Sequence, residues 1–171
     1  CEIKKNAKWS DGQTIVAQDF VESWRRVLAP TAKGLGAEIL VGVKNAKAIH
    51  TGTATPDSLG VVAISDAVLE VTLETPDPEF IQRLAHPALV ATRSGFIYDR
   101  EHSSAAPVSG PYKISGWKSG SRIQLENNPF YDKTLRPPVE ILIIDDDETA
   151  LNLYREGTLT FLRRLPTHYL K

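Results

Sequence analysis

The tripeptide Ser10-Asp11-Gly12 sits between a tryptophan and an amphipathic run, and no other stretch constrains the chain as much. Asp folds back on its own backbone and Gly accepts positive φ, so these residues are turn chemistry. Beyond them Ala17, Phe20, Val21, Trp24, Val27 and Leu28 recur at steps of three and four, which draws one apolar stripe along a helix. Pro30 stops that helix. The local order is strand, turn, helix.

Across 171 residues, 42% hydrophobic content suffices for one ordinary core or two small ones. A net charge of −1 gives no electrostatic argument for nucleic acid or for an anionic membrane surface. No run approaches the ~20 apolar residues of a membrane helix. Cys1 is the sole cysteine, so no internal disulfide is available. With no Met in the chain, the expectation is a processed or cut sequence. Cys1 then reads either as the lipid-bearing residue of a bacterial lipoprotein or as a cut before a strand over 1–4. The lack of a flexible tether after it favours the cut.

Further along, 37–41 reads as a short apolar turn and 43–50 as a second helix ended by Thr51-Gly52. Strands are expected at 61–64 and 68–74, joined as an antiparallel hairpin through Ser65-Asp66-Ala67. A short helix over 79–85 should face Phe80, Ile81 and Leu84 inward and end at His86-Pro87. Residues 103–109, small and polar with one Pro, make the best linker and the expected lobe boundary. After it come strands at 110–117 and 122–126 around a Ser119-Gly120 turn. A third strand at 139–144 has an unbroken apolar core that suggests burial on both faces. Residues 145–148 supply the cap and acidic first turn of a helix over 149–156, closed by Gly157. A short strand at 159–162 and the start of a helix at 167–171 complete the pattern. All three tryptophans, Trp9, Trp24 and Trp117, fall at expected core positions.

Five motifs in this order resemble the extracytoplasmic oligopeptide-binding proteins, the solute receptors of peptide ABC importers. They are AKWSDGQTIVAQDFVESWRR, KNAKAIHTGTATPDSLGV, VLEVTLETPDPEFIQRLAHPAL, GPYKISGWKSGSRIQLENNPFY and DDDETALNLYREGTL. Where that family usually has a capping Thr, this chain has Val16, which cannot accept a hydrogen bond, at a loss of about 1 kcal/mol. The resemblance implies a mixed α/β (α+β) chain, part of a two-lobed fold that closes on a peptide like a hinged clamp. It implies a small α+β domain over residues 1–105 and a partial ligand-binding lobe over 106–171.

The resemblance also points to ligand contacts. Asp147 falls where an acidic residue faces the cleft, although a role in capping the helix accounts for it equally. Arg163 and Arg164 fall where the family has polar or Gly residues, in a loop facing the ligand; an Arg pair there receives a carboxylate or forms a solvated edge. Gly36 replaces a Tyr contact, and Thr160 replaces a usual Asp.

Little else suggests chemistry. His50, His86, His102 and His168 lack ligand spacing, and the 145–148 acidic run lacks the alternation and Gly of a calcium loop. No nucleophile–base grouping, dinucleotide fingerprint or phosphate loop is present. The expectation is a non-enzymatic piece of a peptide receptor, with no metal and no cofactor, outside the bacterial cytoplasmic membrane. Its expected partners are an oligopeptide and the membrane permease of an ABC importer, with no nucleic acid. The rival expectation is a truncated interaction module that binds another chain or self-associates.

Overall fold

The computed structural model describes residues 1–32, 36–96 and 105–164. Its elements, in order, are α1 (Ala17–Val27), α2 (Gly36–Ile39), α3 (Ala46–His50), β1 (Val61–Ser65), β2 (Val68–Val71) and α4 (Phe80–Arg83). They continue with β3 (Tyr112–Lys118), β4 (Arg122–Asn127), β5 (Val139–Leu142) and α5 (Asp147–Arg155). β1 and β2 form an antiparallel hairpin, and β3, β4 and β5 form a separate antiparallel sheet in that order. The mixed α+β reading holds.

The apolar stripe read from the sequence becomes the centre of the first region. Val21, Trp24 and Leu28 of α1 are buried against Leu40, Val43, Ile49, Val61, Leu69, Phe80 and Leu89. The Trp24 indole donates to the carbonyl of Leu89 at 3.0 Å, so its one polar atom is satisfied inside the core. Val16 makes no side-chain cap, as its chemistry requires. The other half of the cap survives, because the buried Asp19 carboxylate accepts from the Val16 amide at 3.0 Å. Asp19 also accepts from the Trp9 indole at 3.0 Å and from the Ser94 amide at 2.9 Å. One carboxylate thus ties the opening turn, the helix entry and the segment after Leu89 together.

Several expectations change in tertiary context. The second helix is shorter, Ala46–His50, because Val43 bridges to Leu73 and Asn45 takes φ +64°. The hairpin strand after it is likewise shorter, Val68–Val71. Gly60 lies where a Cβ would meet Lys44 Cβ at 2.6 Å and the Thr72 carbonyl at 2.8 Å, so only glycine lets the hairpin close against the α3 entry. α4 is a single turn that buries Phe80 and leaves Ile81 67% exposed, since one turn cannot aim both residues inward.

The linker expected at 103–109 lies partly outside the described residues. Its visible part is held: Val108 accepts from the Ser10 amide at 2.8 Å, and its own amide donates to Ser10 Oγ at 3.1 Å. Phe130 packs on the same opening turn, its ring against Gly12 and beneath the Lys8 ammonium at 5.7 Å. The Ser-Asp-Gly turn therefore receives the second region as well as starting the first.

In the three-stranded sheet the registers Ile114–Leu125–Val139 and Trp117–Ile123–Ile141 place six apolar side chains on one face. The irregularity between Ile114 and Gly116 keeps Ile114 and Trp117 on that same side. None of the six is fully buried; Trp117 is 46% exposed and Ile141 44%. The expectations of a core Trp117 and of a 139–144 strand buried on both faces are therefore corrected. β5 is a sheet edge, and its Glu140 turns to the polar face, where it pairs with Arg122 at 3.1 Å. No strand forms over 159–162, because the chain there lies beside β5 without joining its ladder. The helix expected at 167–171 lies outside the described residues.

Candidate functional site

The cleft that gathers the candidate residues is built by a helix and its exit. Asp146 caps α5 by accepting from the Thr149 amide at 2.8 Å, and the Thr149 hydroxyl and amide together hold the Asp146 carboxyl below its ordinary range. At the far end Gly157 takes φ +78°, the Thr158 amide donates back to Leu153 at 2.9 Å, and the chain reverses. Residues 158–164 then run back along β5, leaving a cleft of about 420 Å³ between the strand edge, α5 and the returning segment.

Asp147, Arg163 and Arg164 all line this cleft, so three residues read separately from the sequence share one wall system. Asp146, not Asp147, is the capping residue; Asp147 is the first residue of α5 and stays exposed. Neither Arg163 nor Arg164 makes a hydrogen bond or ion pair among the described residues, and both are exposed. The contrast with other arginines is informative. Arg25, Arg83, Arg93, Arg122 and Arg136 each hold a carboxylate.

The rest of the lining was not singled out by sequence reasoning. Val139, Ile141, Ile144, Leu159, Phe161 and Leu162 supply apolar surface, and Phe161 stands 77% exposed. Periodicity marked 139–144 and 159–162 as apolar; only the chain reversal at Gly157 puts them face to face. Gly36 does not belong to this site. It is buried under Val27 and Ala88, where a Cβ would lie 2.7 Å from Val27 Cγ1, so packing explains the small residue.

Two further grooves lie elsewhere, one beside α3 at Asn45, Thr51 and Glu74, the other beside α4 at Ile39, Arg83 and His86. Neither contains a candidate residue. Among the described residues no group of three or more His, Cys, Asp or Glu side chains is placed to hold a metal ion. No helix there is long and apolar enough to cross a membrane. The cleft offers shape, apolar contact and unpaired charge, which is the equipment of binding.

Comparison with known proteins agrees with this architecture. The chain is 35% identical over 166 residues to the periplasmic oligopeptide-binding protein OppA of Salmonella typhimurium, covering 92% of the chain and 31% of that protein. It is also 35% identical over 164 residues to the probable deoxycholate-binding periplasmic protein YgiS of Escherichia coli, covering 91% of the chain and 31% of that protein. The solved structure of Burkholderia pseudomallei OppA superposes with a TM-score of 0.85 at 30% identity, over 96% of this chain and 34% of that one. The chain thus spans about a third of the length of these relatives. Residues 1–171 match the model described as "Bacterial extracellular solute-binding proteins, family 5 Middle". This chain belongs to the family 5 bacterial extracellular solute-binding proteins.

Proposed function

We propose that this chain is part of a non-catalytic receptor outside the cytoplasmic membrane, one that captures oligopeptides and delivers them to the permease of an ABC importer. The observation that carries this reading is the cleft. Asp147, Arg163 and Arg164, the three positions implied by resemblance to peptide receptors, line one concavity with a chain of apolar side chains. Residues 106–171 contribute this wall, and residues 1–105 form the small α+β domain on which it is mounted. The remainder of the receptor supplies the opposing wall, and closure of the two traps the peptide without chemistry on it.

The self-associating module is the second reading. One observation favours it: the apolar face of the β3–β4–β5 sheet is only half covered. In the receptor reading the rest of the receptor covers that face.

Calorimetric titration of mixed tri- to pentapeptides into the receptor carrying this segment tests the proposal, with the 171-residue chain alone as the comparison. Saturable peptide binding by the receptor supports it. If no peptide binds and the chain alone is a stable dimer by light scattering, the module reading replaces it.

A further inference from the structure

The cleft carries an imbalance of free charge that narrows its ligand, on the reading that it is a binding site. Glu140 also lines the cleft, but its carboxylate is already engaged by Arg122 at 3.1 Å and by the Gln124 amide at 3.3 Å. That leaves two guanidiniums, Arg163 and Arg164, against a single carboxylate without a partner, Asp147, and among the described residues no ion pair joins Asp147 to either arginine. Adjacent to the arginines stand Phe161 and Leu162, with Leu159 and Ile141 further along the wall. A guanidinium accepts no hydrogen bond and presents its N–H groups as a planar fork that matches a carboxylate.

We infer that the arginine pair selects a ligand bearing a carboxylate beside an apolar body, so that Arg163 and Arg164 are specificity-determining residues of this cleft. The carboxylate meets the fork while the neighbouring apolar group covers Phe161 and Leu162, and water leaves the ion contact. Excluding that water is what raises a charge-assisted bond above its worth on an open surface. A neutral end group in the same place leaves both guanidiniums unpaired beneath it, which penalises the wrong ligand as well as favouring the right one. Two sources share this chemistry: the C-terminal or side-chain carboxylate of an apolar peptide, and a fatty-acid-type carboxylate.

The test uses three probes on the receptor carrying this segment: Ala-Ala-Leu-Phe with a free carboxylate, the same peptide as its C-terminal amide, and decanoate. The acid peptide is expected to bind roughly tenfold or more tighter than the amide. R163Q/R164Q is expected to erase that ratio, and R163K/R164K, which keeps the charge and controls for folding, to retain part of it. Acid and amide binding equally would overturn the inference and leave peptide capture standing. An acid preference that survives R163Q/R164Q would also overturn it, by placing the carboxylate elsewhere. Decanoate binding that depends on the arginines, with no peptide bound, would uphold the carboxylate site and remove the peptide reading. No binding by any of the three probes would remove both.

Discussion

The two regions of this molecule are stabilised differently. Up to Leu89 the described residues enclose fourteen buried side chains in one cluster, centred on the α1 stripe and roofed by the β1–β2 hairpin. Among the described residues from 105 onward the buried ones are few: Pro107, Asn128 and Leu151. Its sheet has two antiparallel ladders and a continuous apolar face, yet that face is half open. Secondary structure therefore does not measure stability here. The first region buries apolar surface, while the second relies on hydrogen bonds and surface ion pairs that are individually weak.

The sharpest way to break this comparison is to truncate equivalent aromatics. Trp24→Ala should cost roughly 3–5 kcal/mol, because a fully buried indole leaves a cavity. Trp117→Ala should cost about 1 kcal/mol or less, since nearly half of its surface already faces water. Urea denaturation of the two variants checks the pair, and equal losses would mean that the sheet face is covered.

Next in size is the Asp19 hub. Asp19→Ala removes the acceptor for the Trp9 indole and for the Val16 and Ser94 amides, with an expected loss on the order of 2–4 kcal/mol. Asp147→Asn, at an exposed carboxylate with no such bonds, should leave the denaturation midpoint almost unchanged.

Amide exchange sharpens the contrast without mutation. Protection in α1, β1 and β2 should exceed that in β3, β4 and β5 by about tenfold or more, because few buried apolar contacts guard the second ladder. Comparable protection in both would show a partner on the open face.

The smallest effect concerns the exposed loop after β4. Two hydrogen bonds from Arg136, helped by the Thr134 amide, lower the Asp132 carboxyl to about 2. A lowered carboxyl stabilises the fold above its unfolded pKa of about 4, and that contribution disappears as pH falls through about 2. An NMR titration should show the Arg136 guanidinium signals moving only below about pH 3, at low salt. Movement centred on pH 4 would mean that the pair is open in solution.

How much was legible beforehand follows from the range of the forces involved. The Ser10-Asp11-Gly12 turn, the α1 stripe, the Gly120 turn and the Gly157 stop are local chemistry, and each appears where its residues demand it. The Asp145–Glu148 run carries helix-cap chemistry, and Asp146 fills that role. The 139–144 strand misled because an apolar run reports only a need for burial, not whether cover is present. The 159–162 run misled in the same way: β-rich residues become a strand only when a free ladder edge lies in register.

By itself, then, the sequence determined the elements whose cause lies within a few residues, together with the motif order that places the chain in its family. The tertiary structure alone decided three things. It made Asp19 a three-way acceptor across 75 residues of separation, a bond network that no local pattern encodes. It seated the second region on the opening turn through Val108 and Phe130. It also brought Asp147, Arg163 and Arg164 to one cleft, because a left-handed glycine turned the chain back along β5. Local propensities act over one or two turns of chain, and a binding site is made by contacts between segments that only packing brings together.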